Sequence, residues 1–144
     1  MRNQLVIFLL VLLSTVSCKK EEQQDLDGKV EFAIERASKQ YEQLMRILPE
    51  GRYPKTYHAE KDTLETSDSG WWCSGFYPGT LLYLDEFKPN PALKDEAHRI
   101  LKDLEKEQFN TTTHDLGFMM YCSYGNANRL KKDEGYEEIL MNSA

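Results

Sequence analysis

The stretch SGWWCSGFYPGTLLYLDEF (residues 69–87) decides the fold class, because its second half is apolar on more than one side of a helix. We predict a buried helix over residues 75–87 that begins near Pro78. The following segment, residues 91–107, places its apolar residues on one stripe opposite Lys and Glu. This pattern predicts an amphipathic, surface-facing helix opened by Pro91.

The same alternation of buried and amphipathic segments extends in both directions. Residues 30–48 carry apolar side chains at three- and four-residue steps, which predicts an amphipathic helix. Residues 116–124 are strongly apolar, and another helix begins near Gly135. Residues 51–70 show no helical period, so we predict a long loop there. The chain is therefore predicted to be all-α, either a helical toroid with inner and outer helices or an ordinary small bundle.

Composition excludes two classes of protein. The 144 residues include 18 Lys or Arg and 24 Asp or Glu, a formal charge of -6, with 40% hydrophobic and 11% aromatic residues. This suits one domain at most, and the acidic balance argues against nucleic acid as the main partner. The only long apolar run, residues 5–13, is far shorter than the roughly 20 residues of a membrane-spanning helix.

The amino terminus has the pattern of an export signal. A positively charged start, the apolar run and several small residues lead to Cys18. This cysteine resembles the lipid-attachment cysteine of bacterial lipoproteins, although Thr15 stands where those signals usually carry Leu. We predict a signal peptide over residues 1–17 and a lipid-anchored tether over residues 18–28. The protein is then exported to the periplasm or the outer membrane and cell surface; the alternative is an ordinary cleaved signal.

The remaining cysteines and the histidines do not indicate a metal site. Cys73 and Cys122 could pair in an oxidising compartment, but their apolar surroundings favour two separate buried thiols. No Cys/His cluster has zinc spacing, since His58, His98 and His114 are scattered. We predict no metal and no cofactor.

Two segments, residues 69–87 and THDLGFMMYCSYGNANRL (113–130), resemble the start of the unsaturated glucuronyl hydrolases, glycoside hydrolase family 88. RYPKTY (52–57) and YEEILMNSA (136–144) extend the resemblance. It implies an (α/α)6 toroid of twelve helices, of which residues 29–144 would form the amino-terminal part with about five helices. Because a helix has only begun when the sequence reaches its end, we expect a truncated chain. The related unsaturated rhamnogalacturonyl hydrolases, with similar motifs, are an alternative family.

The resemblance also implies a chemistry. The family acts on oligosaccharides left by polysaccharide lyases, such as chondroitin, hyaluronan or heparin lyase products, which end in a 4,5-unsaturated uronic acid. A carboxylic acid protonates C4, water adds at C5, and the hemiketal collapses to release the neighbouring sugar. By motif position, Asp115 matches a required carboxylate, His114 a substrate-contacting residue and Trp72 a sugar-binding aromatic. The family's second aspartate has no match here, so we expect the fragment to be inactive.

Each of these residues also has an ordinary structural interpretation. Asp115 could be a helix cap, Trp72 a core aromatic and His114 a loop residue. In the functional interpretation, an indole face stacks on a sugar ring, and backbone amides at a helix start hold Asp115 ionised for charge stabilisation. A hypothesis of another class is a non-catalytic surface lipoprotein that binds acidic oligosaccharides through Trp72 and His114.

Anchoring can be tested directly. If Cys18 accepts lipid, the protein should fractionate with membranes and incorporate labelled palmitate, and Cys18→Ala should abolish both. Palmitate labelling that survives the substitution would rule the anchor out.

Overall fold

The computed structural model describes the backbone of residues 2–144 and the side chains from Asp25 onward. The chain divides into two compact units, Met1–Ala37 and Ser38–Ala144. Among residues 25–144, whose side chains the structure describes, no helix combines the length and apolar character that crossing a membrane requires. The predictions for the export signal and for the Cys18 side chain fall outside the described side chains and stay predictions.

Helices and one β-hairpin make up the fold. The chain begins with a long helix, α1 (Arg2–Ile47), which contains the amphipathic segment predicted over residues 30–48 except for its last residue, Leu48. The elements that follow are β1 (Tyr53–His58), β2 (Thr63–Ser67), α2 (Phe76–Phe87), α3 (Pro91–Leu104), α4 (Leu116–Met120), α5 (Asn126–Leu130) and α6 (Glu134–Asn142). Short 3-10 helices lie at Ala59–Lys61 and Glu105–Phe109, and a π-helical turn, Tyr121–Gly125, joins α4 to α5.

Helices α2 and α3 pack together and confirm the predicted pair of a buried and an amphipathic helix. The α3 stripe is buried as its periodicity predicts, and it consists of Leu93, Ala97, Ile100, Leu101 and Leu104. Asn90 caps α3, because its side-chain oxygen accepts hydrogen bonds from the first-turn amides of Ala92 and Leu93 at 3.1 and 3.4 Å. Pro91 opens the helix, as the sequence predicts.

The segment from α4 through α5 completes this core. Met119, Met120 and Tyr124 are buried, in agreement with the apolar run predicted over residues 116–124. The Tyr124 hydroxyl donates a 2.5 Å hydrogen bond to the backbone oxygen of Leu101 in α3. A buried hydroxyl thus finds an acceptor on the neighbouring helix, as burial of a polar group requires.

The loop predicted over residues 51–70 is wrong, because this segment forms the antiparallel β1–β2 hairpin. Its strands pair from Tyr53 opposite Ser67 to His58 opposite Thr63, with a register shift between Pro54 and Thr56. Tyr53 is buried and donates a 2.9 Å hydrogen bond to the Asp103 carboxylate of α3. Burial and the adjacent carboxylate raise the pKa of Tyr53, so the hydroxyl stays protonated and holds the hairpin on α3.

Two glycines let α2 approach the α4–α5 segment at backbone distance. A Cβ placed on Gly79 would lie 2.2 Å from the carbonyl oxygen of Cys122, and one on Gly75 would lie 2.0 Å from that of Met119. Neither carbonyl can move away freely, because both belong to the helical backbone. Any side chain at these positions would therefore push the two segments apart.

This close approach predicts a stability difference between two glycine substitutions. Gly79→Ala should destabilise the protein by about 1–3 kcal/mol, because the added methyl overpacks against backbone. Gly117→Ala in α4 is the matched control, since a Cβ there meets nothing within 4 Å and alanine favours helix by about 0.5–1 kcal/mol. Urea unfolding of the variants measures both changes, and an undiminished stability of Gly79→Ala would contradict the packing described.

Candidate active site

The two sequence motifs, WWCSGF (residues 71–76) and HDLGF (114–118), lie side by side. Gly75 carries the contact: a Cβ there would come within 2.8 Å of the backbone oxygen of Phe118, besides its clash with Met119. The first motif belongs to the turns that lead into α2, and the second leads into α4. The 41 residues between Gly75 and Gly117 therefore return the chain to the same place.

An aromatic cluster marks this junction, made of Trp71, Trp72, Phe76 and Phe118. The Trp72 ring meets Phe76 and Phe118 in T-shaped geometry, with centroid distances of 5.9 and 6.2 Å. Trp72 is 41% exposed and Phe118 is 54% exposed. Phe76 is exposed as well, so the helix predicted to be buried over residues 75–87 has an open ring at its first residue. Rings that hold one another in place and remain open to solvent can accept an apolar face of a ligand.

A cation extends the aromatic cluster on the hairpin side. The Lys55 ammonium of β1 lies over the Trp71 ring, 4.7 Å from its centroid. The same ammonium donates a 2.6 Å hydrogen bond to Glu65 of β2. This bond, together with one from His58, lowers the pKa of the Glu65 carboxyl. Lys55 is therefore held between Trp71 and a carboxylate that stays ionised.

Asp115 occupies the N-cap position of α4 without using its carboxylate as a cap. Its backbone oxygen accepts from the amides of Phe118 and Met119 at 2.9 and 3.2 Å, but its side chain makes no capping hydrogen bond. The expectation that first-turn amides hold this carboxylate is therefore wrong. The Asp115 amide donates to the Thr113 hydroxyl at 3.1 Å, which fixes the backbone just ahead of the helix.

His114 is the neighbour of the Asp115 carboxylate. Its Nε2 lies 3.6 Å from Asp115 Oδ2, and its ring is 96% exposed, whereas the Asp115 side chain is 26% exposed. His114 also borders an open cleft of about 680 Å³, shared with Thr113, Gly117 and Tyr121. Neither Asp115 nor Trp72 lines this cleft. The structure thus brings Trp72 to Phe118, one helical turn from Asp115, but does not gather all three predicted site residues in one pocket.

A second cleft, of about 500 Å³, adjoins the first through Gln108, Phe109 and Asn142 and was not predicted. It is formed by α3, the 3-10 helix Glu105–Phe109 and α6, and includes His98, Tyr124 and Tyr136. The rings of Tyr124 and Tyr136 meet edge to face at 5.5 Å. None of the residues of WWCSGF or HDLGF lines it.

The two cysteines beside the site are separate thiols. Within the described side chains, Cys73 and Cys122 are free and half-buried, which agrees with the favoured prediction of unpaired thiols but not with full burial. Burial raises the pKa of both thiols. Neither is therefore prepared as a nucleophile at neutral pH. Across the same residues, no group of three or more His, Cys, Asp or Glu is placed to hold a metal ion.

Sequence reasoning missed two members of the aromatic cluster. Phe76 and Phe118 each close their motif, and both were interpreted as part of apolar helical runs. The signal was present in the motifs themselves, WWCSGF and HDLGF, where each phenylalanine follows a glycine. Because Gly75 admits close backbone approach, Phe76 is positioned at the contact between the segments, where it also meets Phe118.

Comparison with known proteins agrees with this arrangement. No protein-family model matches the chain. The unsaturated glucuronyl hydrolase of Formosa agariphila is 28% identical over 151 aligned residues, which cover 99% of this chain and 37% of that protein. The crystal structure of an unsaturated glucuronyl hydrolase specific for heparin matches with a TM-score of 0.65 and 36% identity. That match covers 72% of this chain and 28% of the solved one.

The chain is a relative of the unsaturated glucuronyl hydrolases. The predicted resemblance is thereby confirmed, and so is the mainly helical, partial-toroid fold. The β1–β2 hairpin is the departure from a purely helical chain. The chain spans about a third of the length of the relatives it matches.

Two aspartates at helix starts provide a test of the Asp115 geometry. Asp133 caps α6, since its Oδ1 accepts from the amides of Gly135 and Tyr136 at 2.9 and 3.4 Å. Asp133→Ala should therefore cost about 1 kcal/mol of stability. Asp115→Ala should change it by less than about 0.5 kcal/mol, as expected of a substitution that removes no such bond. Equal losses in chemical denaturation would show that the Asp115 carboxylate caps α4 after all.

Proposed function

We propose that this chain forms part of the substrate-binding face of an unsaturated glucuronyl hydrolase. The proposed ligand is an oligosaccharide that ends in a 4,5-unsaturated uronic acid. One observation carries the proposal: the T-shaped contact of Trp72 with Phe118 joins both motifs in one solvent-exposed aromatic cluster, one helical turn from Asp115. The relationship to two unsaturated glucuronyl hydrolases supports it.

Trp72 supplies the sugar platform in this proposal. The apolar C–H face of a pyranose ring packs on an indole much as another aromatic ring does. Contacts with Phe76 and Phe118 hold the Trp72 indole before the ligand arrives. A preorganised ring loses little conformational entropy on binding, so more of the contact energy is available for affinity.

Asp115 supplies one carboxylate of the reaction. Protonation of C4 develops positive charge at C5, and an ionised carboxylate without capping bonds can stabilise that charge. His114, 3.6 Å from the carboxylate and largely exposed, can contact the substrate from the same loop. The proton delivered to C4 requires a second carboxyl group, and no residue of this sequence matches the family's second aspartate. We therefore propose that residues 18–144 bind the unsaturated sugar but do not turn it over.

The location of the protein is part of the proposal. An exported chain anchored through Cys18 would meet lyase products outside the cytoplasm. A lipoprotein that only binds acidic oligosaccharides would occupy the same location and use the same Trp72 face. Binding alone therefore does not separate the two functions, whereas the carboxylate of Asp115 has a role only in the hydrolase.

A titration with an unsaturated chondroitin disaccharide tests the binding face. Trp72→Ala should weaken binding about tenfold or more, the loss typical of truncating a central aromatic contact. Phe87→Ala is the matched control, because it removes an exposed ring from the far end of α2, about 16 Å along the helix from Phe76. Isothermal calorimetry measures both affinities without relying on tryptophan fluorescence.

The same samples report on turnover. The ultraviolet absorbance of the C4–C5 double bond should persist in the presence of residues 18–144. The proposed site lacks the general acid, and general acid–base catalysis typically raises a reaction rate by about 10²- to 10⁴-fold. Equal affinities of wild type and Trp72→Ala, or a stronger loss in Phe87→Ala, would contradict the proposed binding face. Steady loss of absorbance would contradict the proposal that residues 18–144 do not turn the sugar over, and a loss that Asp115→Asn leaves unchanged would also contradict the role given to Asp115.

A further inference from the structure

Glu107 connects the two loops that carry the predicted site residues. It lies in the 3-10 helix Glu105–Phe109, outside both motifs. Ser69, which immediately precedes Gly70 and the tryptophans, donates its hydroxyl to Glu107 Oε1 at 2.5 Å. Asn110, which opens the loop ahead of His114 and Asp115, donates its side-chain amide to Glu107 Oε2 at 2.8 Å. One carboxylate thus accepts a hydrogen bond from each loop.

Hydrogen bonds within each loop fix its local shape. The Gly70 amide donates to Asp68 Oδ1 at 3.1 Å in the first loop. In the second, the Thr112 amide donates to Asn110 Oδ1 at 2.9 Å. Such turns define the path of each loop, but they do not determine how far apart the two loops lie. The Glu107 carboxylate accepts a hydrogen bond from each loop, so it links the two loops and limits the distance between them.

The surroundings of Glu107 make these bonds effective. Ser69 is only 5% exposed, and Glu107 and Asn110 are half-buried. Water therefore competes poorly for the carboxylate, and hydrogen bonds to an ionised acceptor are stronger than neutral ones. Asn110 is used twice, since its amide binds Glu107 and its oxygen accepts from Thr112. Displacement of Glu107 would therefore also shift the turn that leads to Asp115.

We propose that Glu107 is a positioning residue that sets the distance between the Trp72 loop and the Asp115 loop. Its relevance to catalysis rests on the proposed function, because that function places substrate between these two loops. Glu107 itself touches no reacting atom in this scheme. It acts through Ser69 on one side and through Asn110 on the other.

The test compares three substitutions by amide hydrogen exchange. Glu107→Ala removes both bonds, so the Gly70 and Thr112 amides should exchange roughly ten- to a hundredfold faster, as expected for loss of bonds to a charged acceptor. Glu107→Gln can still bond to both a hydroxyl and an amide, and it should restore most of the protection. Glu105→Ala is the matched control, since Glu105 belongs to the same 3-10 helix but bonds Lys102.

Tryptophan fluorescence gives an independent readout. The chain contains two tryptophans, Trp71 and Trp72, and both directly follow the Ser69 loop. Acrylamide quenching should therefore increase in Glu107→Ala, return toward wild type in Glu107→Gln and stay unchanged in Glu105→Ala. A general loss of stability would instead accelerate exchange throughout α2 and α3.

The outcomes separate this inference from the proposed function. Faster exchange confined to the two loops and rescued by Gln supports the positioning role, whether or not the protein binds sugar. Faster exchange in one loop only, throughout the chain, or in neither loop would overturn it. Failure of the wild-type protein to bind the unsaturated disaccharide would overturn the proposed function while leaving the exchange result intact.

Discussion

The carbonyl oxygens of Met119 and Cys122 occupy the space that side chains at positions 75 and 79 would need. This exclusion lets α2 lie against the α4–α5 segment at backbone distance, and the remaining arrangement follows from it. The close packing brings WWCSGF to HDLGF and allows the Trp72 ring to reach Phe118. The aromatic cluster thus depends on two positions that have no side chain at all.

Stability and proposed function are divided between different side chains. Asn90 and Asp133 cap their helices, because their side-chain oxygens accept hydrogen bonds from first-turn amides. The Asp115 carboxylate accepts no such bond at the start of α4 and lies beside His114 instead. The core is supplied by the buried stripe of α3 and by Met119 and Met120. The rings around Trp72 stay exposed because the core does not require them, and they remain available to a ligand.

Periodicity predicted the helices well, because each buries a stripe that three- and four-residue spacing reveals, as in residues 91–104. The hairpin escaped prediction because only one face of β1 is covered, at Tyr53, so its strands show no clear alternation. The motifs identified Trp72 and Asp115 as candidates. Whether the Asp115 carboxylate caps α4 depends on its side-chain rotamer, which the sequence pattern does not specify. Glu107 could not be found, since its partner Ser69 lies 38 residues away and polar residues carry no period.

The π-helical turn Tyr121–Gly125 introduces a phase shift between two helical faces. Such a turn holds one residue more than an α-turn, and each α-helical residue rotates the chain by about 100°. Side chains after the turn therefore point in directions that an uninterrupted helix would not give them. Phe118 upstream joins the aromatic cluster, whereas Arg129 downstream forms paired hydrogen bonds with Glu86 at 2.7 and 2.9 Å. The two ends of this segment consequently contact α2 through different chemistry, an aromatic pair of Phe118 with Phe76 at one end and a charged pair of Arg129 with Glu86 at the other.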